Sequence, residues 1–286
     1  MEKFPRTMVA GISLPRMLMG SNWVLGYSHT SVSADKMIRD RHASAQSIAA
    51  LIETYLSHGI DAMMAPFAEG TPLMEAIRLV QERTGQKLIL IDTPILPVGD
   101  TKEDRAEAMA IIRRSAKLGA TFCLPHHSSV EQLVIKRTQT IERLPDYLDM
   151  IRQQGMIPGL SAHMPELVLY SDLNGYDVET YIQIYNCMGF LMQVEVEYIH
   201  KVIWNAKKPV MTIKSMAAGR VSPFVGLTFS YSTLRPCDMV TVGAFTPEEV
   251  NEDVEIALAA IQRRPPDLEG RSSPNKTTVL GGNANA

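Results

Sequence analysis

Hydrophobic positions along the chain gather into eight short apolar runs, each closing on polar or small residues and followed by a stretch of helical periodicity. The runs are RMLMGSN (16–22), IDAMMAP (60–66), KLILIDT (87–93), TFCLPHH (121–127), IPGLSAH (157–163), YIQIYNC (181–187), VMTIKSM (210–216) and MVTVGAF (239–245). Between the first two, residues 42–57 place Ile48, Leu51, Ile52, Tyr55 and Leu56 at helical spacing. Thr71-Pro72 opens a second helix with an N-cap and a proline at the first position, and Thr101 with Asp104 opens a third. Thr246 with Glu249 has capping-box spacing and opens the last. Gly59 and Gly155 stand where a left-handed cap ends a helix before a strand.

Strand and helix alternating eight times predicts parallel pairing, because each helix is a crossover. Strands that are apolar without alternation predict a sheet covered on both faces. The expected fold class is α/β, a single (β/α)8 TIM barrel over residues 1–263. An open doubly wound sheet would carry a glycine-rich phosphate loop after its first strand, and GSNWVLG lacks that spacing. Residues 23–41 are expected to form a long first βα loop lying over the barrel as a lid. Residues 264–286, rich in Pro, Gly and Asn, are expected to be an irregular tail, flexible or laid on the surface.

Composition narrows the class of partner. The chain of 286 residues is 45% apolar and 21% charged, which is ordinary for a globular protein and needs no metal or disulfide to hold it together. Twenty-eight basic against thirty-one acidic residues give a net charge of −3, with neither the basic surplus nor the stripe of a nucleic-acid binder. Cys123, Cys187 and Cys237 are odd in number and far apart, which fits a reducing compartment rather than a disulfide framework. Without an apolar run of membrane-spanning length or a secretory leader, the expected location is cytoplasmic and the expected partner a small molecule. A homo-oligomer is left open.

In a barrel of this kind the C-terminal strand ends and the loops after them build the active site, so position nominates residues. Alternation from Phe122 and Leu124, and from Ile157 and Gly159, aims His126 and His163 at the mouth and turns His127 towards a neighbouring helix or loop. His126 and His163 with Asp92 have the residue types for acid/base work, the carboxylate orienting one imidazole. The same three with His29 have the types for a divalent metal. Lys214, ending an apolar strand, suits either a fixed positive charge for an anionic oxygen or, if desolvated, amine chemistry. Asn22, Trp23, Tyr27, His29, His127, Ser161, Tyr185, Asn186 and Arg220 complete the expected substrate contacts. Met17, Met19, Met63, Met64 and Met211 read as barrel filling.

YIQIYN (181–186), KKPVMTIKSMAAGR (207–220) and DMVTVGAFTPEEVNEDV (238–254) resemble the last three strand units of the aldo/keto reductase superfamily. That resemblance implies a (β/α)8 barrel using NADPH, with Gly243 and Thr246 as the positions that would meet the cofactor. The family's catalytic Asp and Tyr after strand 2, Lys after strand 3 and His after strand 4 are matched here only by His126 or His127. Strand 2 ends in Pro66-Phe67 and strand 3 in Asp92-Thr93, and the last loop, GAFTPEEV, offers two glutamates and no base. MGSNWVLGYSH, LPHHSSVEQL, GLSAHMPEL and IKSMAAGR resemble an uncharacterised bacterial branch of aldo/keto-reductase-like barrels, which implies the fold without a reaction.

The residues therefore support an enzyme of His/Asp/Lys acid–base chemistry on a small polar sugar- or carbonyl-like metabolite, of lyase or isomerase type. The alternatives are a nicotinamide-dependent reductase with a rearranged catalytic set and a non-catalytic barrel that binds a metabolite.

Overall fold

In the computed structural model, which describes residues 3–268, each apolar run supplies one barrel strand. These are β1 Met17–Gly20, β2 Ala62–Ala65, β3 Ile89–Asp92 and β4 Ala120–Cys123. They continue as β5, in two pieces Ile157–Pro158 and Leu160–Ala162, then β6 Tyr181–Ile184, β7 Val210–Ile213 and β8 Met239–Val242. The crossover helices are α1 Ala45–Ser57, α2 Pro72–Thr84, α3 Lys102–Lys117 and α4 Leu144–Gln153. They are followed by α5 Glu166–Asn174, α6 Val196–Asn205, α7 Pro223–Thr233 and α8 Pro247–Gln262. Thr71, Thr101 and Thr246 each accept a backbone N–H of the turn they open, and Gly59 and Gly155 take left-handed φ of 76°.

Every pairing around the ring is parallel, and β8 pairs with β1 through Val240↔Met17. The ring closes within β5 itself. Its first piece pairs with β4 (Phe122↔Ile157) and its second with β6 (Leu160↔Tyr181). Gly159 sits at the switch, its N–H donating to Cys123 O at 3.3 Å while Leu160 N–H turns to Thr180 O at 3.2 Å. The result is a closed (β/α)8 barrel, as the alternation of runs and helices requires.

Period-two alternation divides the buried side chains into two cores. Leu18, Met64, Ile91, Phe122, Leu124, Ile182, Met211 and Met239 fill the barrel interior. Met17, Met19, Met63, Leu90, Cys123, Tyr181 and Tyr185 belong to the larger core between strands and helices. Of the methionines read as barrel filling, Met64 and Met211 lie inside and Met17, Met19 and Met63 face the helices. A hairpin of Arg6–Val9 and Ile12–Pro15 plugs the N-terminal end of the barrel with Val9 and Leu14. Its two-residue loop puts Ala10 and Gly11 at φ 47° and 81°, the turn that matches hairpin twist.

The long first loop carries secondary structure of its own. It folds into two helices, Asn22–Leu25 and Val32–Arg41, the second N-capped by Ser31. Asp35 fixes the bend between them by accepting from both the backbone N–H and the hydroxyl of Ser28. After α8 the chain runs back along that helix, where Asp267 N–H donates to Glu255 and Leu268 packs on the core. The rest of the expected tail, 269–286, lies outside the described residues. Among the described residues no helix is long and apolar enough to cross a membrane.

Candidate active site

The C-terminal ends of β4, β5 and β7 and the first loop bring His126, His127, His163, Lys214 and His29 to one mouth. Beyond β4, His126 N–H donates to Pro94 O at 2.8 Å, and the ring then caps a short helix, His127–Val130, by accepting from Ser128 N–H. That helix start overturns the expected outward turn of His127, because strand alternation has already ended. The His127 ring lies between its neighbours instead, 4.2 Å from the His126 centroid and stacked on His163 at 3.6 Å with planes 15° apart. Ser161 is buried in β5 two residues before His163, on the same face.

Glu131 holds this triplet together, and strand-end reasoning overlooks it. Its Oε1 accepts from the backbone N–H of His163 at 2.7 Å and of Met164 at 2.8 Å, while Oε2 stands 3.5 Å from His127 Nδ1. A signal was present in the sequence: His127 and Glu131 are four apart, which is the spacing of facing residues on one helical turn.

Lys214 follows β7 with a left-handed φ of 62°, and its carbonyl accepts from Ala217 N–H at 2.8 Å. Its Nζ lies 3.1 Å from His29 Nε2, and Asn22 Nδ2 lies 3.1 Å from the same nitrogen. The Lys214 ammonium beside Nε2 makes that nitrogen an acceptor in a neutral His29 with its proton on Nδ1, the tautomer assigned from this contact. Arg220 ties the two loops together by donating to the carbonyls of His29 and Ala217, with its guanidinium 4.1 Å above the Phe190 ring.

Electrostatics agree with that protonation pattern. Burial, followed by the charge of His127, pushes His163 down to about 3 and His126 down to about 4, with Lys214 contributing to both. Burial, then Lys214, lowers His29, and burial lowers Lys214 itself. His29, His126 and His163 therefore stand in the mouth as neutral imidazoles beside the cations Lys214 and Arg220. Glu131, the carboxylate beside the histidines, already accepts from two backbone amides through Oε1, and Asp35 near His29 is bonded to Ser28. Such a mouth accepts an anion and offers lone pairs beside it.

Other nominated residues lie elsewhere or serve the scaffold. Asp92 follows inward-facing Ile91 and so faces the helices, where it is buried and accepts from Phe67 N–H at 3.1 Å beside Ser115. Tyr185 is outward too, bonded to Thr233 Oγ1 and stacked with His200. Asn186 accepts from the N–H groups of Met188 and Phe190 and donates to Phe190 O, so it shapes the loop on which Arg220 rests. Trp23 packs edge-on against Phe245, and Tyr27 is exposed.

A metal does not suit this arrangement. Among the described residues no three His, Cys, Asp or Glu side chains are placed to hold an ion. The stacked rings of His127 and His163 point their nitrogens along parallel planes rather than at a common point. The nicotinamide cofactor implied by the sequence resemblance finds no phosphate seat where Gly243 and Thr246 were nominated. Trp23 packs 3.3 Å from the place a Cβ on Gly243 would take. Glu249 accepts from Phe245 N–H at 2.7 Å and donates its own N–H to Thr246, so α8 is capped by its own residues with Glu248 and Glu249 in its first turn. The residues there do not fit a nucleotide phosphate.

No protein-family model matches the chain, and no curated protein matches it. Among solved structures it is similar to a provisionally assigned aldo-keto reductase from Pseudomonas aeruginosa. That likeness has 15% identity and a TM-score of 0.66 over 91% of this chain and 98% of the other. It is also similar to an aldo/keto reductase from Klebsiella pneumoniae solved with NADP and acetate, at 15% identity and a TM-score of 0.56 over 96% and 99% of the two chains. At such identities the likeness is one of fold, and the chain has the (β/α)8 barrel fold of the aldo-keto reductase structures.

Proposed function

We propose that this barrel is an acid–base enzyme acting on a small carbonyl metabolite that bears an anionic group. The observation that carries the reading is the juxtaposition of neutral His126 and His163 with Lys214 in a mouth without a free carboxylate. An anion drawn to Lys214 and Arg220 offsets the positive charge that, second to burial, lowers the imidazoles. Their affinity for a proton then rises towards the range useful for catalysis. His163, or His126 on the other side of His127, takes the proton from the carbon next to the carbonyl. Lys214 faces the oxygen on which negative charge develops. Arg220 binds the anionic group, and Asn22 with His29 positions the lysine.

Incubation in D2O with pyruvate, dihydroxyacetone phosphate and glucose 6-phosphate, followed by proton NMR, tests the reading. Protein-dependent loss of a proton signal next to a carbonyl is expected for at least one compound, and it should vanish in His163→Ala with the circular dichroism unchanged. Thermal stabilisation by a compound that never exchanges would favour the metabolite-binding barrel. Loss of the fold in the variant would make His163 structural.

A further inference from the structure

The strongest unexplained feature of the mouth is the situation of Lys214. Its Nζ is bonded to an imidazole rather than to an acid, and among the described residues no carboxylate is within ion-pair distance of it. The residue is held in the left-handed region at φ 62°, a conformation a lysine adopts only when its surroundings impose it. What imposes it is the turn that follows, pressed against α7. A Cβ on Gly226 would come 2.7 Å from Ser215 O and 3.2 Å from Met216 Cα, so the lysine backbone is clamped by close packing. By strand alternation Lys214 would face the helices like Thr212, and the left-handed residue turns it into the mouth instead.

We propose that Lys214 is a nucleophile that forms an imine with the carbonyl carbon of a 2-oxo acid, with His29 as its proton relay and Arg220 as the seat of the carboxylate. The inference rests on the acid–base reading of the same mouth and adds a covalent step to it. His29 Nε2, 3.1 Å from Nζ, has its lone pair towards the lysine and is the base that removes a proton from the ammonium. The freed lone pair on Nζ forms the C–N bond, and a proton then passes from that nitrogen to the former carbonyl oxygen, giving a carbinolamine. His29 returns the proton it removed to that hydroxyl, the C–O bond breaks, and water leaves. Overall an ammonium and a ketone become a protonated imine and one water, with no oxidant or reductant. The cationic imine then draws electrons from the neighbouring C–H or C–C bond, and His163 or His126 accepts the proton. Burial, which lowers the affinity of Lys214 for its proton, acts in the same direction.

Trapping reads the step directly. The protein is treated with pyruvate and sodium borohydride, digested, and mapped by mass spectrometry against a sample given borohydride alone. The expected result is a reduced pyruvyl adduct on the peptide containing Lys214, formed at least tenfold faster than on exposed Lys117. It should be absent in Lys214→Arg and slowed at least tenfold in His29→Gln. An adduct distributed over surface lysines, or none at Lys214, overturns the imine. If the wild-type protein exchanges pyruvate protons in D2O and Lys214→Arg still does so, the imine fails while the acid–base reading stands. If trapping succeeds and no compound exchanges, that reading fails and the nucleophile stands.

Discussion

The imidazoles of His127 and His163 lie face to face, 3.6 Å apart at 15°, and the backbone N–H of His163 is held by the carboxylate that stands beside His127. Two rings in that relation cannot both be cationic without strong repulsion. Of the seven histidines in the chain, His126 and His163, lowered first by burial and then by the charge of His127, should stay neutral through the ordinary range. Two-dimensional NMR of the ring resonances between pH 5.5 and 8 should find both unchanged, since they are pushed down to about 4 and about 3. Saturating pyruvate should bring at least one of them into that window. A ring among these two that titrates near 6.5 in the free protein would remove the electrostatic basis of the site.

The same depression makes stability depend on pH in a definite sense. The unfolded chain takes up protons on these histidines near 6.5, whereas the folded chain takes them up only near 4 and 3. Their contribution is thus fully present above 6.5 and is lost as pH falls towards the folded values. Between pH 7.5 and 5 the urea midpoint should drop by the equivalent of about 1–2 kcal/mol, with solvent screening of the half-buried rings allowed for. In the double variant His126→Asn, His163→Asn the drop should be smaller by that amount.

Asp92 separates a scaffold role from a chemical one. Burial raises its affinity for a proton, so its charge costs stability as pH rises through its ionisation. Ser115 Oγ donates to Ile111 O, leaving it free to accept from an amide at position 92. Asp92→Asn should therefore keep Phe67 N–H paired, leave denaturant stability within about 1 kcal/mol and retain D2O exchange. Asp92→Ala should lose about 1–3 kcal/mol, because that buried N–H is left without an acceptor. Loss of exchange in a stably folded Asp92→Asn would restore the carboxylate to the catalytic set.

That contrast shows where a sequence alone is legible. The eight strands, their helix caps and the convergence of His126, His163 and Lys214 follow from periodicity and from the rule that strand ends share a rim. Facing does not follow from being at a strand end. Asp92 and Tyr185 point to the helices because Ile91 and Ile182 fix the inner parity of β3 and β6. His127 and Lys214 break parity, one by starting a helix and the other through a left-handed residue. Glu131 escaped notice because it lies beyond the apolar run, although its spacing from His127 was readable. The amino-terminal hairpin was equally readable, as two short segments joined by Ala10-Gly11.

Glu131 should be the most sensitive support of the histidine triplet. Its Oε1 serves two backbone amides that belong to the turn after β5. Glu131→Gln keeps an acceptor there and should cost about 1 kcal/mol, whereas Glu131→Ala strands both amides and should cost about 2–3 kcal/mol. Urea unfolding with an unchanged m-value is the check. Proton exchange should fall in Glu131→Ala, where His163 loses its anchor, and be largely kept in Glu131→Gln, where the acceptor remains. Equal stability in Glu131→Ala and the wild type would mean that the carboxylate does not hold the turn.

Gly159 joins the closure of the barrel to the placement of His163. A Cβ there would stand 2.7 Å from Thr180 O and 2.8 Å from Leu124 Cγ, one a backbone atom and the other a buried interior side chain. Neither can give way cheaply, so Gly159→Ala must move the second piece of β5 relative to β4 or β6. The overpacking should cost about 1–3 kcal/mol, seen as a fall in Tm of several degrees for a chain of this size. The displacement is carried to His163 four residues on. Exchange activity should therefore fall more than the stability loss alone accounts for, even well below Tm. A variant that melts normally and exchanges normally would show that β5 tolerates a side chain at the switch, and that the closure described for Gly159 does not set the position of His163.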